Sequence, residues 1–150
     1  MKLSWDWLND FADFRSIGLQ KALDKINSSI CEIDSIEEYM PHLKTIIAVR
    51  LESVSKHPGA DKLFVCEAFD GKSKIQIVTG AQNVKIGDIV PLALPGTVIF
   101  GKEIQPGALK NVQSYGMFCS EKELGFAEES NGVLVLDKNT KLGISMSDLF

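Results

Sequence analysis

From residue 44 onward the chain consists of short β-type stretches separated by glycine and proline, and this pattern limits the fold more than any other feature. Ile47, Val49 and Leu51 alternate with smaller or polar residues, as on a half-buried strand. Asp70-Gly71 separates two further stretches and is typical of a tight hairpin turn. Five or six such strands predict a small antiparallel barrel over residues 44–150.

The later strands are predicted in the same way, from β-type residues bounded by turn residues. Pro91 lies within one of them, and because proline cannot donate to a ladder it predicts an edge strand or a bulge. A loop through Gly101, Pro106 and Gly107 is expected before the next strand. After the first, the predicted strands are 63–69, 75–79, 89–94, 112–120 and 132–136.

Residues 1–43 have helical spacing instead. Ser4 can cap a helix with Trp5, Leu8 and Phe11 on one face. A second apolar stripe with spacings of three and four residues begins at Leu19. We therefore predict an N-terminal helical segment that packs beside the barrel.

Charge is distributed unevenly along the chain. The formal net charge is -4, yet residues 44–110 carry nine Lys or Arg against six Asp or Glu. Both flanking parts are net acidic. This mild basic excess predicts weak, salt-sensitive contact with phosphates.

The cysteines and the N-terminus indicate a reducing compartment. Cys31, Cys66 and Cys119 are odd in number and widely spaced, which argues against a disulfide framework and against a zinc site. The start of the chain lacks the apolar core of a signal peptide, and no apolar run approaches the roughly 20 residues that span a bilayer. We expect a cytoplasmic protein with no membrane contact.

Catalytic signatures are missing from the sequence. It has no phosphate-binding Gly-Lys-Ser/Thr loop, no glycine-rich dinucleotide fingerprint and no nucleophile elbow. A Cys119–His57 dyad remains open at this level, whereas the acids are scattered singly. We expect no catalytic residue, no metal site and no cofactor in this chain.

Three short segments combine β-type residues with small and polar ones. In the first, residues 57–63, His57 precedes proline, and Asp61 can cap a turn that carries Lys62. We expect His57 and Lys62 at the barrel surface, with Lys62 facing a phosphate. The alternative is a capped loop with a solvated lysine.

The second segment, residues 77–84, ends a strand in Gly80, Ala81, Gln82 and Asn83. Small residues allow a ligand close to the backbone, and the two amides can read base edges or 2′-hydroxyls. Alternatively, Gly80 and Asn83 only satisfy a left-handed turn.

The third segment, residues 114–121, alternates along a predicted strand. An exposed Tyr115 beside Met117 would stack on a base, whereas ordinary strand packing is the alternative for Met117 and Cys119. Ser120 is expected to cap one helical turn that ends at a glycine.

In this order, the three segments resemble the tRNA-binding domain of the beta subunit of bacterial phenylalanyl-tRNA synthetases. The resemblance implies an OB-fold-type barrel and tRNA as a partner. Family members often have Lys-Leu-Arg-Gly where this chain has residues 108–111, so Lys110 would contact phosphate as a point charge and Asn111 would replace a glycine at positive φ. The residues predicted to contact RNA are His57, Asp61, Lys62, Gly80, Ala81, Gln82, Asn83, Lys110, Ser114, Tyr115, Met117 and Ser120.

The resemblance extends to the N-terminal segment, whose opening, residues 4–8, is similar to the start of that subunit. Family members are several-fold longer, and their ATP- and Mg-dependent adenylation site lies in the alpha subunit. The resemblance implies a fragment with no aminoacylation activity alone. Its partners would be tRNA, the alpha subunit and the later beta-subunit domains.

Three functions stay open on the sequence. The first is a tRNA-binding module that assists aminoacylation in the whole synthetase. The second is a structural scaffold within that enzyme with little affinity for RNA. The third is a free-standing homodimeric tRNA-binding or chaperone-like protein.

Overall fold

The computed structural model describes residues 2–150, in two compact units. The first unit ends at Tyr39 and the second runs from Met40 to Phe150. The sequence had indicated a boundary after residue 43. Within the described residues, no helix is both long enough and apolar enough to cross a membrane.

The first unit contains two helices, α1 (Trp5–Phe11) and α2 (Leu19–Ser29). The Ser4 hydroxyl oxygen accepts a hydrogen bond from the Trp7 N–H, which confirms the predicted cap.

The second unit opens with a 3₁₀ helix, Pro41–Thr45, and then forms nine strands and two short helices. The strands are β1 (Ile46–His57), β2 (Ala60–Phe69), β3 (Lys74–Thr79), β4 (Ile89–Ala93), β5 (Val98–Ile99), β6 (Lys102–Glu103), β7 (Gly107–Leu109), β8 (Val112–Ser114) and β9 (Met117–Phe118). The helices are α3 (Glu121–Leu124) and α4 (Met146–Leu149).

Five strands form one antiparallel sheet in the order β3-β2-β1-β4-β9. The two ends of this sheet are brought together by residues 113–116, the end of β8 and the two residues that follow it. The Tyr115 N–H donates to the Gln76 carbonyl of β3 at 3.0 Å, and the Gln76 side chain donates to the Gln113 carbonyl at 2.8 Å. The sheet therefore curls so that its first and last strands approach each other.

This approach depends on Gly116. A Cβ atom at this position would lie 2.6 Å from the Ala93 carbonyl oxygen and 2.9 Å from Leu92 Cδ1. Neither the backbone oxygen nor a fully buried leucine can move away cheaply. Only glycine lets this segment lie directly on β4.

The strands enclose two neighbouring apolar clusters, and β1 contributes to both. Ile46 and Ala48 belong to the cluster beside α3 and α4, whereas Val49 and Leu51 belong to the cluster between β2, β3 and β4. All four side chains are 1% exposed or less. Burial of a Val, Leu or Ile side chain contributes about 1.5–3 kcal/mol, so β1 is the structural centre of the unit.

The prediction for Pro91 was wrong, because this residue lies in β4 with a neighbouring strand on each side. Its carbonyl accepts from the Cys119 N–H at 2.9 Å, but proline has no N–H to return to the Cys119 carbonyl. The Leu134 N–H donates to that carbonyl instead, at 3.0 Å. A segment distant in sequence thus replaces the missing donor.

Other predicted elements differ in detail. The expected loop before residue 112 contains the β5–β6 hairpin and the first strand of the β7–β8 hairpin. The predicted strand 112–120 is interrupted at residues 115–116, and the predicted strand 132–136 makes only a single bridge to β4. The hairpin at Asp70 is confirmed, with a four-residue connection whose N–H groups donate to the Asp70 carboxylate.

We expect Gly116→Ala to lower the free energy of unfolding by about 1–3 kcal/mol or more, because the new methyl group overlaps the β4 backbone. Urea unfolding monitored by circular dichroism measures this change. Gly107→Ala is the matched control, since no atom lies within 4 Å of its Cβ position. It should change stability by less than about 0.5 kcal/mol. Equal effects of the two substitutions would contradict the packing assigned to Gly116.

Candidate nucleic-acid interface

The His57 side chain joins the β1–β2 hairpin to the β7–β8 hairpin. Its Nδ1 accepts from the Gly59 N–H at 2.9 Å, so the neutral ring carries its proton on Nε2, which donates to the Leu109 carbonyl 2.9 Å away. The residue is only 4% exposed. The expectation that His57 lies at the surface was therefore wrong, because both ring nitrogens are engaged by backbone groups.

Lys110 lies at the tip of the β7–β8 hairpin. Lys110 and Asn111 form the two-residue turn, with φ of 48° and 69° respectively. Positive φ at both central residues is the pattern of a type I′ hairpin turn, so the prediction for Asn111 is confirmed. The Lys110 side chain is exposed.

Three lysines gather at the two joined hairpins: Lys56, Lys62 and Lys110, which we call the hairpin patch. Lys56 pairs across the sheet with Phe64, and Lys62 is two positions from Phe64, so the two lysines share one face of the sheet. All three are exposed and none forms an ion pair with the described residues. Lys56 was not predicted, because its partner strand could not be known from the sequence.

Asp61 does not cap a turn. It lies within β2, next to Lys62, and its exposed carboxylate makes no hydrogen bond in the described part of the chain. The predicted capping role was therefore wrong, and the carboxylate weakens the field of the neighbouring lysine.

The outer face of the sheet carries cations that are already neutralised. Lys74 Nζ lies 2.6 Å from Glu67 and 3.1 Å from Glu52, and Arg50 lies 3.1 Å from Glu52. Hydrogen bonds from Arg50 and then Lys74 lower the pKa of Glu52, and the bond to Glu67 raises the pKa of Lys74. Arg50 also lies over the Phe69 ring, 5.7 Å from its centre. This face is thus poorly suited to bind phosphate.

Gln82 connects the second segment to the hairpin patch. Its Nε2 donates to the Lys62 carbonyl at 3.1 Å and to the Gly80 carbonyl at 2.9 Å, and its side chain is exposed. Gly80 is exposed and Ala81 is half-buried. Neither Gly80 nor Asn83 has a positive φ, so the proposed left-handed turn is not formed.

Asn83 is engaged within the protein. Its Nδ2 donates to the Val133 carbonyl at 2.8 Å, and its Oδ1 accepts from the Val133 N–H at 3.0 Å. This pair of bonds fixes residues 132–134, whose Leu134 completes the hydrogen bonding of β9. Both ends of the Asn83 amide are therefore hydrogen-bonded to the protein backbone.

The third segment divides into one exposed residue and several internal ones. Tyr115 is 48% exposed, whereas Met117 is half-buried and packs against the first apolar cluster.

The Ser114 hydroxyl accepts from the Val78 N–H and donates to the Gly116 carbonyl. Ser120 caps α3 in a reciprocal box with Glu123, and α3 ends at Gly125, as predicted.

The predicted site residues therefore do not form one continuous set. Lys62 and Lys110 lie on the joined hairpins, and Gln82 reaches the Lys62 carbonyl from the loop after β3. Tyr115 is exposed on the segment that meets β3. Three of the predicted residues are instead buried, namely His57, Ser114 and Ser120, and both ends of the Asn83 amide are bonded to Val133.

Two arrangements considered on the sequence, a Cys119–His57 dyad and a metal-binding cluster, do not occur among residues 2–150. The two nitrogens of His57 are both bonded to the backbone, and the Cys119 thiol donates to the Met117 carbonyl, so no Cys119–His57 dyad exists. The described His, Cys, Asp and Glu side chains form no group of three or more that could hold a metal ion.

The profile of the family described as "Putative tRNA binding domain" matches residues 46–145, two thirds of the chain. The chain belongs to this family. The resemblance seen in the three segments is thereby confirmed, and the match coincides with the sheet and both hairpins.

Individual relatives extend the likeness to the N-terminal unit. The chain is 57% identical to the phenylalanine–tRNA ligase beta subunit of Leptospira biflexa over 150 residues, which are 100% of this chain and 19% of the relative. It is 38% identical to that of Syntrophotalea carbinolica over 144 residues, 95% of this chain and 18% of the relative. The chain thus spans about a fifth of the length of these relatives.

A solved structure supports the fold. The MetRS related protein from Pyrococcus horikoshii superposes with a TM-score of 0.51 at 18% sequence identity, covering 67% of this chain and 86% of that one. At this identity the likeness shows the fold alone. It confirms the prediction of a mainly antiparallel, OB-type architecture.

In this tRNA-binding-family domain, Asn83→Ala should lower the free energy of unfolding by about 1–3 kcal/mol, because it leaves the Val133 N–H and carbonyl without partners. Chemical unfolding measures the loss. The control is Gln82→Ala, the adjacent exposed amide, which should cost less than about 0.5 kcal/mol. Unchanged stability of Asn83→Ala would contradict the structural role assigned to this amide.

The three thiols should differ sharply in reactivity. Burial raises the pKa of Cys66 to about 11 and that of Cys119 to about 12, whereas Cys31 is exposed. Near pH 8 the buried thiols are therefore about 0.1% thiolate or less. We expect a disulfide reagent to label Cys31 rapidly in the native protein and all three cysteines in denaturant. Rapid native labelling of a second thiol would show that the apolar clusters open.

Proposed function

We propose that this chain is a tRNA-binding module of a phenylalanyl-tRNA synthetase beta subunit, which helps the whole enzyme hold tRNA(Phe). The observation that carries the proposal is the hairpin patch. Three exposed lysines, none of them in an ion pair with residues 2–150, stand on two hairpins that a partly buried hydrogen bond holds together. An OB fold binds oligonucleotides through the loop between its first two strands and the loop before its last strand, which are these two regions.

Phosphate contact at the hairpin patch would be weak and sensitive to salt. Three lysines can neutralise about three phosphates, so the slope of log K against log salt is expected near -2 to -3. Because the chain as a whole is net acidic, its remaining surface does not add to this attraction. The patch therefore suits an auxiliary contact within a larger synthetase.

The wider role follows from the same proposal. Aminoacylation, with ATP and Mg, would take place in the alpha subunit, and this chain would supply none of its catalytic groups. The alpha subunit and the later beta-subunit domains would be its protein partners, and its location would be the cytoplasm.

A scaffold role is the second candidate, and two features favour it. Several residues that the sequence indicated for RNA instead stabilise the fold, among them His57, Asn83 and Ser120. In addition, Phe126 and Phe150 form an exposed edge-to-face pair with ring centres 4.8 Å apart, a surface that suits another protein better than RNA.

The two candidates differ in their response to the double substitution Lys62→Gln plus Lys110→Gln. If the hairpin patch binds tRNA, the variant should bind about tenfold more weakly at roughly 50 mM salt, and its salt slope should become shallower by about 1.5. Fluorescence anisotropy of labelled tRNA(Phe) at about 50 and 200 mM salt measures both quantities.

The control is Lys21→Gln plus Lys25→Gln, which removes the same charge from exposed positions of α2. It should leave affinity and slope nearly unchanged. Equal binding by the wild type and the hairpin-patch variant would reject the site, and no binding by the wild type would favour the scaffold.

A further inference from the structure

Phe100 occupies an unusual position at the tip of the β5–β6 hairpin. With Gly101 it forms the two-residue turn, at φ of 50° and 76° respectively. The aromatic side chain is 69% exposed. An apolar ring thus projects from a tight turn into solvent.

Local stability does not explain a phenylalanine at this position. A bulky residue is strained at positive φ, where glycine, asparagine and aspartate are tolerated at lower cost. The exposed ring gains little from burial to offset that strain. Aromatic character here therefore favours a role outside the fold, since such strain is commonly found at binding sites.

The hairpin base holds the ring in place. Ile99 is buried in the first apolar cluster and Ile104 packs against that cluster. Ile104 exchanges backbone hydrogen bonds of 2.8 Å with Gly96 and Thr97, and the Thr97 hydroxyl bonds to Thr45. Because these contacts fix the base of the hairpin, the Phe100 ring loses little conformational freedom when it binds a ligand.

We propose that Phe100 stacks on an unpaired base of the bound tRNA, a contact additional to the hairpin patch. This inference rests on the proposed function. The β5–β6 and β7–β8 hairpins both belong to the connection between β4 and β9, so Phe100 and Lys110 are carried by the same ligand-binding connection.

A base suits this site better than an apolar protein surface does. The ring projects from the turn, and Lys102, which is exposed and forms no ion pair in the described residues, lies two positions away. A single aromatic ring with a cation two positions along the same hairpin matches a nucleotide, whose base offers a flat face and whose phosphate offers a charge.

The test compares Phe100→Asn, Phe100→Trp and the wild type for tRNA(Phe) binding at constant salt. Asparagine removes the ring but accepts positive φ, so the melting temperature should be unchanged or higher. Its affinity should fall roughly 5- to 100-fold, while the slope against log salt stays the same because no charge is lost. Tryptophan should retain affinity, and its fluorescence should be quenched by tRNA.

Val98→Thr is the matched control on the same hairpin. Val98 is 52% exposed but not aromatic, so its replacement should leave binding unchanged. Wild-type affinity in Phe100→Asn would overturn the stacking role while leaving the hairpin patch intact. Failure of the wild-type chain to bind tRNA would overturn both proposals.

Discussion

The contact of the residue 113–116 segment with β3 and β4 determines the rest of the second unit. Gly116 has no side chain, so the chain can lie on the Ala93 carbonyl while Tyr115 hydrogen-bonds to Gln76. The β7–β8 hairpin runs directly into this segment and is thereby carried to the end of the sheet where β1 turns into β2. The neutral His57 ring then joins the two hairpins, and the lysines beside them become neighbours.

In this arrangement, one set of residues fixes the shape of the surface and another set would contact a ligand. His57, Asn83 and Ser114 each pair with backbone groups at least 36 positions away, so they fix loops that local propensity would leave variable. Buried polar groups satisfied in this way make a surface rigid. The exposed side chains nearby then need only to carry the right charge and to be long enough to reach a ligand.

Local pattern was sufficient to predict much of the fold. Alternation located β1 and the next three strands, and turn chemistry identified the Asp70 hairpin, the positive φ of Asn111 and the Ser120 cap.

The predictions that failed involve partners distant in sequence. Pro91 can lie in a central strand because the Leu134 N–H supplies the donor that proline lacks. His57 is buried because its Nε2 donates to the Leu109 carbonyl. The short strands β5, β6 and β7 were missed because strands of two or three residues carry no periodicity. Phe100 followed by glycine was the available signal for the β5–β6 turn.

The ion pairs of Lys74 and Arg50 have a consequence for how a polyanion would approach. These cations share their charge with Glu52 and Glu67, so the outer sheet face is nearly neutral at long range. An RNA that diffuses toward the second unit therefore meets an uneven field, attractive at the joined hairpins and weak across the broad face. Such a field would orient the incoming molecule before any contact forms, and would make collisions on the wrong side brief.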